Sequence, residues 1–142
     1  MKSDILSIDV TDKPPTVIEY LRLRHEGGLS AFSPEAAEIG LKGTLFAVTL
    51  RQGDEAIGMG RVVGDGGCFL QIVDIVVVPR YQGKGLRKQI MSALTERAKS
   101  DLPETAFLSL LADVPADRLY AQFGFVETAP ASLGISYRII KS

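Results

Sequence analysis

Residues 71–94 decide the fold, and they read QIVDIVVVPRYQGKGLRKQIMSAL. Residues 72–78 are almost continuously β-branched and apolar, which predicts a central strand covered on both faces. Pro79 cannot donate a backbone hydrogen bond to a neighbouring strand, so the strand should end there. A glycine-rich turn follows at residues 82–85. An apolar stripe at helical spacing comes next, formed by Leu86, Ile90, Met91 and Leu94. Such a strand–turn–helix unit aims free backbone N–H groups and a positive dipole end at one point, which predicts an anion site.

The details of the turn discriminate between the families that use such a site. A nucleotide-triphosphate loop needs G-x-x-x-x-G-K-[ST], which is absent, and a dinucleotide fingerprint needs a third glycine where Lys88 stands. The turn instead resembles the acyl-CoA loop Q/R-x-x-G-x-G/A of the GNAT N-acetyltransferase superfamily, through Gln82, Gly85 and the position of Arg87. The preceding pattern hydrophobic-x-Val-x-Pro, at residues 75–79, resembles the same family. Arg87 departs from the small residue usual there, so it either narrows the approach to the pyrophosphate or pairs with a phosphate.

A second motif lies near the end of the chain. The run Asp113-x-x-Ala116-x-x-Leu119-Tyr120-x-x-Phe123-Gly124-Phe125 resembles the family's N-x-x-A-x-x-L-Y-x-x-x-G-F. Here Asp113 stands where asparagine is usual. The two motifs flank one crossover unit, and the resemblance covers nearly the whole chain.

The hydrophobic pattern predicts the order β-α-α-β-β-β-α-β-α-β-β, which is also the order of the GNAT fold. The predicted strands lie at residues 5–10, 44–50, 56–63, 68–78, 105–111, 125–126 and 136–140. The predicted helices lie at residues 17–25, 34–43, 86–100 and 115–124, with the apolar stripe of the first at Val17, Ile18, Leu21 and Leu23. The strands on either side of the third helix should be parallel. We therefore expect a single N-acetyltransferase domain over residues 1–142, in the α/β class with a mixed sheet.

Composition narrows the class of protein. The chain has 142 residues, of which 46% are hydrophobic and 23% charged, and this is typical of one globular domain. The formal net charge is −1, so no nucleic-acid partner is expected. No apolar run of about 18 residues and no signal-peptide core are present, so we expect no membrane span and a cytoplasmic protein. Cys68 and His25 are the only residues of their types. We therefore predict no disulfide, no metal centre and no Ser-His-Asp triad.

The resemblance implies acetyl-CoA as co-substrate and assigns its binding residues. Backbone N–H groups of the turn should hold the pyrophosphate, with charge added by basic side chains; a solvated basic turn is the alternative. Strand backbone should pair with the pantetheine and supply an oxyanion donor. The expected binding residues are Ile75, Val76, Val77, Gln82, Gly83, Lys84, Gly85, Leu86, Arg87, Lys88, Asp113 and Tyr120.

Two residues are candidates for proton transfer. An alkylammonium has a pKa of about 10 and must lose a proton before it attacks a thioester. Asp74 interrupts the most apolar run of the chain, so it is either the general base or a structural carboxylate paired with Arg61 or a backbone N–H. Tyr120 matches the family's tyrosine near the thioester sulfur, so it is either the general acid or a core tyrosine. Asp113 either holds the pantetheine or caps the last helix.

The acceptor site is the part of the enzyme that the sequence defines least. The family builds it at the end of the first helix, so His25, Leu29 and Phe32 are candidate substrate-binding residues, and Arg61 is a further candidate from the strand at residues 56–63. We expect an acetyl-CoA-dependent N-acetyltransferase that acts on a primary amine of a small molecule or peptide by direct attack. The alternatives are a non-catalytic acyl-CoA-binding module and a nucleotide-binding regulatory domain. A homodimer is compatible with the sequence.

Overall fold

A computed structural model describes residues 7–112 and 117–141 of the chain. The chain divides into two compact units, Met1–Leu110 and Leu111–Ser142, and each is treated by itself below. The single domain over residues 1–142 therefore stays a prediction.

Residues 7–110 of the first unit form one five-stranded sheet and three α-helices, with a short 3-10 helix at Pro79–Tyr81. Its strands are β1 (Ile8–Thr11), β2 (Phe46–Gln52), β3 (Glu55–Gly64), β4 (Phe69–Val77) and β5 (Phe107–Leu110), and they lie side by side in that order. Its helices are α1 (Val17–Glu26), α2 (Pro34–Lys42) and α3 (Leu86–Asp101). Neighbouring strands are antiparallel except β4 and β5, which are parallel and joined through α3. The predicted mixed-sheet α/β fold and the parallel pair are confirmed.

Local sequence signals set the ends of these elements. Thr16 accepts a hydrogen bond from the N–H of Glu19, whose side chain accepts one from the N–H of Thr16, so α1 begins with a capping box. Ser33 caps α2 in the same way through the N–H of Ala36, just before a proline at the first helical position. In the turn from β3 to β4, Asp65 Oδ1 accepts hydrogen bonds from three consecutive backbone N–H groups, those of residues 67–69.

The core between the sheet and α3 follows the predicted stripe. Leu86, Ile90, Met91 and Leu94 are all buried. Gly60 of β3 makes their approach possible, because a β-carbon built on it would lie 2.6 Å from Ile90 and 2.9 Å from Leu94. These distances are shorter than carbon atoms tolerate, so β3 needs a glycine at this point.

The buried face of α1 differs from the prediction. Ile18 is 81% exposed, whereas Tyr20, Leu23 and Arg24 are buried. The apolar pattern is a poor guide here because two of the three buried side chains carry polar groups. Both of them bind a carboxylate of the sheet, as described below.

In the described part of the second unit, residues 111–112 and 117–141, there is one short helix, α4 (Asp117–Ala121). The two closing strands predicted at residues 125–126 and 136–140 are not formed, since the described segment 125–141 contains no strand. Its apolar side chains are largely exposed, for example Val126, Ile135 and Ile140. Alternating apolar residues favour a strand only when a neighbouring strand accepts their backbone hydrogen bonds, and this segment has no such pairing in the part of the chain described. None of the helices seen in residues 7–112 and 117–141 is both long and apolar enough to cross a membrane.

Candidate functional site

The turn between β4 and α3 has the backbone of an anion-binding loop. Gly83 and Gly85 have φ angles of 77° and 80°, a left-handed conformation that favours glycine. A β-carbon built on either residue meets no atom within 4 Å, so the space above both is open. Gly85 is also the N-cap of α3, and among the described residues no side chain caps this helix start. The first N–H groups of α3 are therefore available to a ligand.

The side chains of this loop divide into anchors and exposed cations. Leu86 is buried against the sheet, which fixes the start of α3. Gln82 donates a hydrogen bond from Nε2 to the carbonyl oxygen of Val77 at 2.8 Å, so it binds the strand end rather than facing the loop. Lys84 and Lys88 are exposed and Arg87 is half-buried. The result is a positively charged rim around an open helix start.

β4 continues past the end of its partner strand. Its pairing with β5 ends where Ile72 lies beside Leu110, but β4 itself runs on to Val77. Val78 donates its N–H to Ile57 of β3 at 3.0 Å. Because successive residues of a strand turn their backbone groups to opposite edges, those of Val77 point away from β3. The carbonyl of Val77 is taken by Gln82, and the other polar groups of this edge have no strand partner in the described sheet.

A β-bulge lies directly before this free edge. Arg61 lies opposite Val73 and Met59 lies opposite Val76, so the single residue between them on β3 faces both Asp74 and Ile75 on β4. Asp74 has a φ of 63°, an uncommon conformation for a residue with a side chain. A bulge bends the strand that carries it, and bulges are frequent beside active sites. Here the bulge marks the point beyond which β4 continues without β5.

The side chain of Asp74 is the centre of a buried polar cluster. Its carboxylate is only 4% exposed, and it forms ion pairs with Arg24 of α1 and with Arg61 Nε, the latter at 2.8 Å. The hydroxyl of Tyr20 donates to Oδ2 at 2.9 Å. Burial, together with the charge of Asp74, raises the pKa of Tyr20, so this phenol remains a donor. If Asp74 is a structural carboxylate, the sequence predicts an ion pair between Asp74 and Arg61, and this ion pair is present.

Arg24 extends the cluster to the loop between α1 and α2. Its Nε donates to the carbonyl of Ser30 at 2.8 Å, and its Nη2 donates to the Ser30 hydroxyl at 3.1 Å. Its guanidinium carbon lies 4.4 Å from the centre of the Phe32 ring, which is a cation–π arrangement. Arg61 extends the cluster elsewhere, since it donates to Gly40 and Thr44 at the end of α2.

Arg24 and Tyr20 are not among the site residues predicted from the sequence, although the sequence carries a signal for both. A carboxylate inside an apolar strand requires partners. Tyr20 and Arg24 are four residues apart, so they lie on one face of a helix. A search for donors at that spacing would have found both.

The proposed acceptor residues are only partly brought together. Leu29 is half-buried, Phe32 covers Arg24, and both belong to the loop after α1. His25 is exposed on α1. Arg61 is buried, with its guanidinium committed to Asp74, Gly40 and Thr44. The loop thus contributes two of the four candidates, and both contact Arg24.

The second motif falls partly outside the described residues. Tyr120 is buried in α4, and its carbonyl accepts a hydrogen bond from the N–H of Phe123 at 2.9 Å. Asp113, the candidate for pantetheine binding or helix capping, lies outside the described residues. Within residues 7–112 and 117–141, no group of three or more histidine, cysteine, aspartate or glutamate side chains could hold a metal ion.

A family model for an acetyltransferase (GNAT) domain matches residues 26–134, a range that includes the loop, the bulge and α4. The chain belongs to the GNAT acetyltransferase family. The resemblance noted in the sequence is therefore confirmed, and acetyl transfer is the chemistry of the family.

Solved structures of similar proteins agree with this GNAT fold. A Staphylococcus aureus protein of unknown function, described as a probable acetyltransferase, is 45% identical with a TM-score of 0.88, and the match covers 93% of this chain and 99% of that chain. The ribosomal-protein-S18-alanine N-acetyltransferase of Escherichia coli is 18% identical with a TM-score of 0.71, covering 86% of this chain and 79% of that chain. A curated relative, the uncharacterized N-acetyltransferase ycf52 of Porphyra purpurea, is 28% identical over 94 residues. That match covers 63% of this chain and only 53% of the relative, so the chain spans about half the length of the curated relatives it matches.

Proposed function

We propose that this GNAT protein transfers an acetyl group from acetyl-CoA to a primary amine of a small molecule or a peptide by direct attack. The observation that carries the proposal is the continuity of two features along residues 75–87. A free strand edge leads straight into an uncapped helix start with a basic rim. In acetyl-CoA, the amide groups of pantetheine are followed by a pyrophosphate. These groups complement the strand edge and the helix start in the same order.

The loop supports the phosphate part of the proposal. Backbone N–H groups from Gly83 to Arg87 would bind the pyrophosphate at the positive end of α3. The open space above Gly83 and Gly85 allows the close approach of an anion to the backbone. Lys84, Arg87 and Lys88 would add charge to this site, and Leu86 would hold it in place through its burial. Gln82 would act indirectly by tying the loop to β4.

The free edge of β4 supports the pantetheine part. The N–H of Val77 faces the open side, and Ile75 lies in the same stretch of β4 beyond its pairing with β5, so the amides of a pantetheine chain could pair with the backbone there as a strand would. Val76 would contribute through its place in the strand between them. A backbone N–H at this edge would also be suited to binding the oxyanion of the tetrahedral intermediate.

The proton transfers are assigned to fewer groups than the sequence suggested. We propose that the amine attacks as the free base after losing its proton to water, and that Tyr120 is the acid that protonates the departing thiolate. For Asp74, both carboxylate oxygens already accept hydrogen bonds from Tyr20, Arg24 and Arg61. Taking a proton from an amine would displace one of these charge-assisted bonds. The contacts therefore favour a structural role for Asp74 over the general-base role.

The acceptor is proposed only as a class. Among structures with the same fold, one is an N-acetyltransferase of a ribosomal-protein alanine and another, from Arabidopsis thaliana, is a glucosamine-6-phosphate N-acetyltransferase. A peptide amine and an amino sugar are thus both acted on by proteins with this fold, at 18% and 16% identity to this chain. The cytoplasmic location and the compatibility with a homodimer stay predictions.

The test of donor binding compares two glycines with the same backbone conformation. Gly85→Glu puts a carboxylate where phosphate should lie, whereas Gly53→Glu puts it in the turn from β2 to β3, where φ is also positive and the space is also open. Both variants should lose a similar amount of stability, about 1–2 kcal/mol. Only Gly85→Glu should lose acetyl-CoA binding in calorimetry. Equal binding by the two variants would contradict the phosphate assignment.

The test of catalysis is release of free thiol from acetyl-CoA in the presence of a panel of primary amines. The panel should include a polyamine, an amino sugar and a peptide with a free N-terminus. Thiol release with one of them supports the transferase. Binding of acetyl-CoA without thiol release would instead favour the non-catalytic acyl-CoA module, to which the unusual Arg87 and Asp113 point.

A further inference from the structure

The loop between α1 and α2 is connected to the β4 bulge through one side chain. Arg24 donates to Ser30 with two of its nitrogens and stacks on Phe32, while its remaining nitrogen pairs with Asp74. All three nitrogens of its guanidinium are thus engaged. The planar fork of arginine holds its partners in fixed directions, so movement at one end is transmitted to the other.

Burial makes this connection stiff. The side chain of Arg24 is 9% exposed and that of Asp74 is 4% exposed. Charge-assisted hydrogen bonds away from water are short and strong, because water does not compete for the donors. Asp74 is at the same time the bulge residue with a left-handed backbone, so its carboxylate and its φ angle are fixed together.

The two ends of the connection lie at two different sites of the proposed enzyme, the donor site and the acceptor site. The bulge immediately precedes the free edge of Ile75 and Val77, the proposed pantetheine site. The other end is the loop that contains Leu29 and Phe32, which are candidate acceptor residues. Leu29 itself donates its N–H to the carbonyl of Arg24 at 2.9 Å, so the loop is anchored to this residue by backbone as well.

We propose that Arg24 is a positioning residue that couples the acceptor loop, residues 28–33, to the donor site at the β4 bulge. Binding of acetyl-CoA along the edge of β4 restricts the motion of the bulge. The contacts of Asp74 and Arg24 then restrict the motion of Ser30 and Phe32. Arg24 touches neither the donor nor the acceptor in this role. The inference rests on the proposed function, because it requires acetyl-CoA to bind at β4.

The charges of the cluster provide a clean variant. Two arginines pair with one carboxylate. Arg24→Gln therefore leaves Arg61 and Asp74 as a neutral ion pair, with no unpaired buried charge. Arg51→Gln is the matched control, because Arg51 forms an ion pair with Glu19 at the other end of the same helix. Ser30→Ala combined with Phe32→Ala is a second variant, at exposed residues, that weakens the connection from the loop side: it removes the Ser30 hydroxyl and the Phe32 ring and leaves the bond from Arg24 to the Ser30 carbonyl.

Hydrogen exchange with and without acetyl-CoA tests the coupling without knowledge of the acceptor. In the wild type and in Arg51→Gln, acetyl-CoA should slow exchange at residues 83–88 and also at residues 29–32. In Arg24→Gln and in the loop double variant, protection of residues 83–88 should persist. The protection induced at residues 29–32 should fall by about fivefold or more.

The outcomes separate the two proposals. If Arg24→Gln retains the induced protection of the loop, or if the wild type protects only residues 83–88, the coupling role is overturned while donor binding stands. If acetyl-CoA protects neither segment in the wild type, the proposed function fails, and the inference fails with it. An equal loss in Arg51→Gln would also overturn the assignment to Arg24, since any disturbance of α1 would then suffice.

Discussion

At the scale of single residues, Asp74 explains how a carboxylate is retained in a strand of valine and isoleucine. Within the described residues, the side chains that donate to it come from α1 and β3. The bulge presents the carboxylate to those donors, and the left-handed φ is the local cost of that presentation. The carboxylate thus connects β4 to α1 and β3 through directional hydrogen bonds, which an apolar side chain could not form.

Asp74→Asn should destabilise the protein strongly. The amide preserves the volume but leaves two buried guanidiniums without a counter-charge, and breaking a buried ion pair in this way costs about 3–5 kcal/mol. Denaturant unfolding measures the loss. Adding Arg24→Gln should recover part of it, because the double variant has the same excess charge as the wild type.

The pH–rate profile of Asp74→Asn separates the two roles of this residue. If Asp74 only supports the structure, the folded fraction should turn over with an unchanged profile. A stable variant with a slow rate that recovers at high pH, where free amine is more abundant, would instead restore the general-base role.

Tyr120→Phe should slow turnover by about tenfold to a hundredfold, at the low end for an acid–base residue, because a thiolate is a good leaving group. Acetyl-CoA binding should change little, since only one hydroxyl is removed. Tyr137→Phe is the control, because Tyr137 is exposed in the same unit. Turnover equal to the wild type at every pH would leave Tyr120 as a packing residue.

At the scale of elements, the end of α1 lies against β4 at a glycine. A β-carbon built on Gly27 would overlap Cγ2 of Val76, although the φ of Gly27, −84°, suits any residue. The requirement for glycine is therefore steric. It brings α1 against the strand that we assign to the donor.

Gly27→Ala should cost about 1–3 kcal/mol, as overpacking typically does. The control is Gly43→Ala at the end of α2, where φ is −89° and the nearest atom lies at an ordinary 3.5 Å. Its effect should stay within about 0.5 kcal/mol. Combining Gly27→Ala with Val76→Ala should relieve the overlap, so the double variant should lose less stability than the two single variants added together. Strict additivity in urea unfolding would contradict the steric explanation.

The start of α1 makes stability depend on acid pH. The hydrogen bond from Arg51, helped by the capping contacts of Thr16, lowers the pKa of Glu19 from 4.5 to about 2. The folded state therefore gains stability from ionised Glu19 above pH 4.5 and loses it as the pH falls toward 2. For a pair that is partly open to water this amounts to about 1 kcal/mol. Urea midpoints of Glu19→Gln and the wild type should differ at pH 7 and converge near pH 2.

At the scale of the whole molecule, the order of elements through α4 could be predicted because each has a local signal. Residues 71–94 carry the strand, the turn and the helix in one continuous pattern, and a loop sequence specific to one family follows the strand. The buried cluster could not be predicted in full, since Arg24 and Asp74 are 50 positions apart and their meeting depends on tertiary packing. The prediction of the closing strands was wrong because alternating apolar residues indicate only a tendency to form a strand. They do not show whether a neighbouring strand is present to pair with it.

The strands lie in the sheet in the same order as in the chain, and this order affects how the sheet folds. β2, β3 and β4 are joined by tight turns, so pairing them closes only short loops and loses little chain entropy. The other two connections are long, because α1 and α2 lie between β1 and β2, and α3 lies between β4 and β5. The loop-closure entropy of the sheet therefore falls mainly on these two long connections, and the first turn of the second one forms the proposed donor loop.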